Sequence, residues 1–370
     1  MRKAVIEAMS PSAMIGPDGI CHRLAGGVPL EQEDALVVAT SGTTGKQKGV
    51  VLTHSAVQAS ALATSKCLKA DPSTDRWLAC LPLAHIGGLS VVTRALHTGI
   101  PLIVQDGFDM NKVISAARSG ATLVSLVATA LRRIEPGLFR IVLLGASRAP
   151  ADLPPNVVTT YGMTETGSGV VYDGIPLEGV EVRVSWRDPA PQGELLDPGA
   201  DTASVKLAEI GQADQVKLGE VLLRCPMLLR CYREGPNGAS PTGEDPRLEG
   251  GWFPTGDAGW IDENQRLHVA GRIAEVIVTG GEKVWPAAVE AVLNTHPCVE
   301  EIAISGQPDP EWGQAVVAWV VPSKSGPPSL EDLQAMASEQ LPPWSKPKKM
   351  KVVSSLPRTA LGKLRRELLR

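Results

Sequence analysis

Thr40-Ser41-Gly42-Thr43-Thr44-Gly45-Lys46-Gln47-Lys48-Gly49 is the stretch on which the reading turns. The apolar run 35–39 leads into it and Val50-Val51-Leu52 leads out. That pattern is a loop between two strands. Its glycines let the backbone approach a ligand closely, and successive N–H groups in such a loop form an anion-binding concavity. The Thr and Ser hydroxyls add donors, and Lys46 and Lys48 add positive charge. It is not a Walker A loop. That motif places four residues between its first Gly and Gly-Lys-Ser/Thr and opens a helix, whereas only Thr43 and Thr44 separate Gly42 from Gly45 and β-branched residues follow. Taken alone, the stretch also reads as a flexible surface loop.

The chain has 370 residues, room for two domains. A net charge of −4 offers no basic excess for a nucleic-acid partner, apart from the local run from Lys346 to Arg370. Cys21, Cys67, Cys80, Cys225, Cys231 and Cys298 form no C-x-x-C pair, which argues against zinc and redox motifs and fits a reducing cytosol. No apolar run is long enough to span a membrane, and the N-terminus has no signal-peptide core. The expected location is cytoplasmic, without a membrane partner.

Further along, apolar runs alternate with helical patterns. Strands are expected at 36–40, 50–53, 76–81, 101–104, 122–127, 141–144 and 157–160. Helices are expected at 55–69, with Ser55 as its cap, and at 89–98 and 110–119. This alternation predicts an α/β fold with a mostly parallel sheet, whose ligands sit beyond the carboxyl ends of the strands. From Gly179 the runs shorten into a small antiparallel β region. Near Ile273 a second module of about 100 residues begins, of α+β type: a strand over 274–279, a helix starting at Pro286, strands at 301–305 and 315–321, a helix capped by Ser329 and Asp332, a strand over 350–353, and a basic helix from Lys363. The expected domains are thus 1–272, a large α/β domain with its β region, and 273–370, a small mobile α+β domain.

Several short stretches carry chemistry, each with a plainer alternative. Tyr161-Gly162-Met163-Thr164-Glu165-Thr166 offers a ring for stacking, a hydroxyl and a hard oxygen for Mg²⁺; it is otherwise a strand-to-turn segment. Asp257, after Gly256, can accept two ribose hydroxyls or simply close a turn. Arg272 with Gly280-Gly281 is a ligand-side loop or a linker. His85, beside Gly87 and Gly88, is a pocket residue or a structural histidine. Lys363, after Gly362, is a point charge for phosphate or part of a solvated basic face.

In this order, from about Ala35 to Lys363, the stretches resemble the adenylate-forming superfamily of acyl-CoA synthetases, luciferases and adenylation domains. The resemblance implies two half-reactions in one site. An acid and ATP·Mg²⁺ form an acyl-adenylate and pyrophosphate, and coenzyme A then displaces AMP. It further implies that Thr40 to Lys48 (Thr40, Ser41, Gly42, Thr43, Thr44, Gly45, Lys46 and Lys48) cradle phosphates. Tyr161 stacks on adenine with Gly145, Ala146 and Gly162 alongside, Thr164 contacts the α-phosphate and Glu165 holds Mg²⁺. Asp257 and Arg272 bind ribose, Lys363 bridges the carboxylate and α-phosphate, and the Gly280-Gly281 loop enters for the second step. The hinge position, usually Asp or Lys, is Ala274 here.

Only 39 residues precede Thr40, so an N-terminal subdomain of the superfamily is expected to be largely absent, leaving a surface that a homodimer would cover. Residues 82–91, 161–166 followed by 172–177, and 278–284 are similar to 2-succinylbenzoate–CoA ligases of menaquinone biosynthesis. That resemblance makes the partner a small-molecule acid, with His85, Gly87 and Gly88 lining its pocket, His85 also a catalytic candidate, and Arg94 facing the carboxylate that is not activated; a surface arginine is the alternative. The other readings are a CoA ligase for another aryl or medium-chain acid, an enzyme loading a carrier protein, and a non-catalytic adenylate-binding protein.

Overall fold

Trp77, Leu78 and Ala79 are fully buried, as expected for a strand covered on both faces. The structure, a computed structural model, describes residues 5–6, 9–16, 18–41, 47–145, 153–185, 205–206, 215–216, 218–233, 245–358 and 364–369. They fall into two compact units, Met1–Glu181 with Leu223–Phe253, and Val182–Leu222 with Pro254–Arg370. The boundary expected from sequence lay at 272/273; here the antiparallel β region joins the C-terminal module.

In the first unit a seven-stranded sheet runs in the order Ile175–Pro176, Ser168–Tyr172, Val157–Met163, Ile141–Gly145, Leu123–Val127, Trp77–Ala79 and Leu102–Val104. The five strands between 77 and 163 are parallel. Helices Ile86–Thr98 and Met110–Arg118 supply crossovers. Val113 and Ala116 of the second pack with Leu78, Val124, Leu126, Val142 and Leu144 into one core. Helix His54–Cys67 is capped by Thr53, whose Oγ1 accepts from the Ala56 N–H at 3.2 Å. The expected cap, Ser55, lies inside the first turn and bonds to Thr53 instead.

The strands flanking the glycine-rich loop do not belong to the parallel sheet. Asp34–Ser41 and Gln47–Thr53 form an antiparallel hairpin, with Cys231–Arg233 on its other side. Chain length decides this: parallel neighbours need a crossover of a dozen or more residues, and far fewer separate Ser41 from Gln47.

The second unit carries a four-stranded sheet, Glu181–Ser185, Gly219–Arg224, Phe253–Ile261 and Leu267–Arg272, its last two strands antiparallel, whose strand ends the unit boundary crosses. The strand expected over 274–279 is shorter. Ile273–Glu275 is a 3₁₀ turn closed by Val276 N–H to Ile273 O, and pairing starts at Ile277. Gly280 and Gly281, with φ of 60° and 86°, make the two-residue turn to Glu282–Val284, which requires positive φ at both positions. Strand Gly313–Pro322 pairs with Ile277–Thr279, Val299–Asp309 and Lys349–Val352. Helices Pro286–Leu293 and Leu330–Gln340 cover this sheet with Val289, Leu293, Leu333 and Ala337. Pro286 starts its helix, and Ser329 and Asp332 form the expected capping box. In place of the expected basic helix from Lys363, the described residues show one 3₁₀ turn, Arg366–Leu368.

Candidate active site

Strand Val157–Met163 carries Tyr161 and Gly162, and at its carboxyl end Thr164–Thr166 forms a 3₁₀ turn. Buried Thr166 fixes that turn: its hydroxyl accepts from Met163 N–H at 3.0 Å and lies 2.6 Å from Ser168 O. The turn sets the direction of Glu165. The Glu165 backbone carbonyl accepts from Leu229 N–H at 2.7 Å, and its carboxylate Oε1 accepts from the Tyr232 hydroxyl at 3.0 Å. Tyr232 pairs with Val50 on the hairpin, and the Lys48 ammonium lies 5.2 Å from the centre of its ring. Lys48 from the loop and Glu165 from the strand end thus meet through Tyr232, a residue the sequence reading did not single out.

Gly145 ends its strand beside Val127 and lies close to Thr160 Oγ1. Thr40 pairs with Lys48 in the hairpin. Gly42 to Lys46, Ala146 and Lys363 lie outside the described residues, as does the side chain of Ser41.

His85 is the residue before helix Ile86–Thr98, in extended conformation, and burial pulls its imidazole below the ordinary value. At neutral pH it is an uncharged donor or acceptor. Gly87 is exposed. Gly88 is sterically required, since a Cβ there would come within 2.5 Å of the carbonyl oxygens of Leu81 and Pro82.

Arg94, two turns further along this helix, is 2% exposed, not a surface residue. Its guanidinium donates to the Ser125 hydroxyl at 3.4 Å and to the Ser168 hydroxyl, lies 5.4 Å from the Trp77 ring, and leaves Nε without a partner among the described residues. Burial lowers its pKa. No carboxylate bonds to it among the described residues. A buried guanidinium held only by hydroxyls and a ring is an electrostatic liability unless another charge approaches.

In the second unit, Asp257 and Arg272 stand opposite each other in an antiparallel pair. Arg272 Nε lies 3.0 Å from Asp257 Oδ1, and its Nη1 donates to Thr255 O at 2.9 Å. Thr255 in turn donates to Val221 O and accepts from Asp257 N–H. The two residues expected at ribose are therefore one prearranged ion pair, with Asp257 6% exposed. Nearby Glu220, also missed from sequence, accepts from Gly256 N–H at 3.0 Å. Burial raises its carboxyl, the Asp257 charge adding and the Gly256 N–H opposing. Ala274 lies in the Ile273–Glu275 turn. Its neighbour Glu275 accepts from Arg366 at 2.9 Å, and Arg366 also clamps Glu290.

Among the described residues no three His, Cys, Asp or Glu side chains converge as a metal centre. The donor set suits a different cation. Mg²⁺ is commonly held by one or two carboxylates plus substrate phosphates. Tyr232 occupies only one Glu165 oxygen, and Oε2 accepts no bond among the described residues.

A parallel α/β unit with a hydroxyl- and glycine-rich hairpin loop, a carboxylate at a strand end and an Asp–Arg pair in the second unit define an adenylate-forming fold. A family model described as AMP-binding enzyme matches residues 14–233, and one described as AMP-binding enzyme C-terminal domain matches 288–363. The chain belongs to the AMP-binding enzymes. It is 34% identical to a 2-succinylbenzoate–CoA ligase of Geobacillus kaustophilus, over 92% of this chain and 69% of the relative. It is similar to the Bacillus subtilis o-succinylbenzoate CoA synthetase (MenE) solved with the acyl-adenylate intermediate OSB-AMP, at 30% identity and TM-score 0.74, covering 94% of this chain and 72% of that one. The same synthetase with ATP and magnesium gives 29% and 0.73, covering 94% and 73%.

Proposed function

We infer that the chain is an AMP-forming acid–CoA ligase that adenylates 2-succinylbenzoate and transfers it to coenzyme A in menaquinone biosynthesis, in the cytoplasm. The observation that carries this reading is the likeness, across 94% of the chain, to a synthetase holding its own acyl-adenylate. The site residues fit the first half-reaction. Lys48 and the loop before it bind the polyphosphate, Tyr161, Gly162 and Gly145 lie along the base, and Thr164 meets the α-phosphate. Asp257, oriented by Arg272, accepts the ribose hydroxyls. Glu165 Oε2 would hold Mg²⁺, which when bound offsets phosphate charge. Lys363 stabilises the charge that grows on the α-phosphate, the role in which positioned donors matter most. Movement of residues 273–370 about Ala274 exchanges Lys363 for the Gly280-Gly281 turn in the second half-reaction.

His85, Gly87 and Gly88 line the acid pocket. Arg94 acts on the second carboxylate of the substrate through the Ser125 and Ser168 hydroxyls or a water, since its own burial leaves little room for direct contact. A homodimer belongs to the same reading, its support being the edge strand Leu102–Val104 with Val104 exposed.

The test is pyrophosphate release with a panel of acids. Release with 2-succinylbenzoate well above that with benzoate, succinate and medium-chain acids is the expected result. Equal or greater release with a monocarboxylic acid would reassign the substrate.

A further inference from the structure

We propose that Tyr232 is a positioning residue for the metal–polyphosphate end of the site: its hydroxyl fixes which Glu165 oxygen is left for the cation, and its ring holds the Lys48 ammonium. The inference rests on the ATP·Mg²⁺ reading given above.

Strand register places the parts. Tyr232 stands opposite Val50. Lys48 is two residues before Val50, so it shares the face of Val50 and is the diagonal neighbour of Tyr232, within reach of a long side chain. Its ammonium, 5.2 Å from the ring centre, is at cation–π range. The phenol edge of the same ring donates to Glu165 Oε1. The segment carrying Tyr232 grips Glu165 twice, by Leu229 N–H at the backbone and by Tyr232 at the carboxylate. That segment is itself tied to the hairpin: Arg230 N–H donates to Val51 O, and the Arg230 guanidinium makes paired 2.8 Å bonds to Asp34. The Tyr232 ring packs with Val50, Leu52, Leu229 and Phe253, so the hydroxyl has little freedom to leave Glu165.

Hydrogen bonds behind a ligating carboxylate orient it, and their loss commonly weakens metal binding ten- to a hundredfold. Tyr232→Phe keeps the ring over Lys48 and removes only the hydroxyl. Tyr232→Leu removes both. The measurement is calorimetric ATP binding, in EDTA and across a Mg²⁺ titration, with thermal melting of each protein alongside.

For Tyr232→Phe the Mg²⁺ concentration giving half-maximal enhancement of ATP affinity should rise about tenfold, while affinity in EDTA stays within about twofold of the parent. Tyr232→Leu should in addition weaken ATP binding in EDTA by about two- to fivefold, from the loss of the ring–ammonium contact. A Tyr232→Phe protein with an unchanged Mg²⁺ requirement overturns the proposal while leaving the ATP reading intact. A parent protein that binds no ATP at all overturns the ATP reading, and this inference with it.

Discussion

Arg94 shows how burial alters the meaning of a residue. From sequence it is an arginine on a helix, and an exposed position is the simplest expectation. The structure places it among Ser125, Ser168 and Trp77, with Nε unpaired among the described residues. Carboxylate partners normally accompany a buried cation, so a substrate with a spare carboxylate gives this one a purpose. Arg94→Lys retains a charge but loses the fork that spans both serines. Its expected effect is about a tenfold rise in KM for 2-succinylbenzoate, the loss of one charge-assisted bond, with KM for ATP within twofold. Steady-state kinetics with each substrate varied in turn provide the check, and an unmoved acid KM removes Arg94 from recognition. Other motifs were legible because each is local: Tyr161 to Thr166, the Gly280-Gly281 turn and the Ser329 cap are short runs whose residue types dictate their geometry. Tyr232 was not, because it lies 67 residues from Glu165 and reaches Lys48 only through strand register. Glu220 stayed hidden for the same reason.

At the level of elements, the parallel sheet keeps its two ends distinct. The carboxyl ends lead to His85, Gly145 and Glu165. The amino ends are held by Asp75, which accepts from Arg140 at 2.8 and 2.6 Å and from Thr122 at 2.7 Å. Those three residues precede the strands beginning at Trp77, Ile141 and Leu123. Burial would push the Asp75 carboxyl up; the Arg140 bonds, with Asp71 N–H and Thr122, more than offset this and hold it below the usual carboxylate range. A lowered native pKa gives stability that is present above the unfolded value of about 3.9 and is lost as pH falls through the native one. Urea unfolding midpoints should therefore decline below pH ~4. Asp75→Asn should lower the midpoint at pH 7 and flatten the acid decline, and a decline as steep as that of the parent would contradict the assignment. The strands of this sheet were readable as apolar runs. What was not readable was the pairing of the flanking hairpin, since an apolar run does not state its partner.

On the scale of the whole molecule, the order of the motifs gave the class before any geometry did, because loop, strand end, Asp–Arg pair and terminal lysine recur in one sequence over most of the chain. The division into units was less legible. The change of texture near Ile273 points to a boundary at 272/273, whereas the four-stranded sheet groups with the C-terminal module, a matter of packing that composition does not reveal. Within that unit Arg366 joins Glu275, beside Ala274, to Glu290 and Ile304 O. The segment after Lys363 is thereby anchored to the turn proposed as the hinge. Together these parts would carry a carboxylate through an adenylate to a thioester. Mass spectrometry of the protein incubated with ATP, Mg²⁺, coenzyme A and 2-succinylbenzoate tests this most directly. The expected product is the 2-succinylbenzoyl thioester of coenzyme A, formed only when ATP is present and accompanied by AMP; AMP release without a thioester, or no turnover of this acid at all, would rule out that reaction.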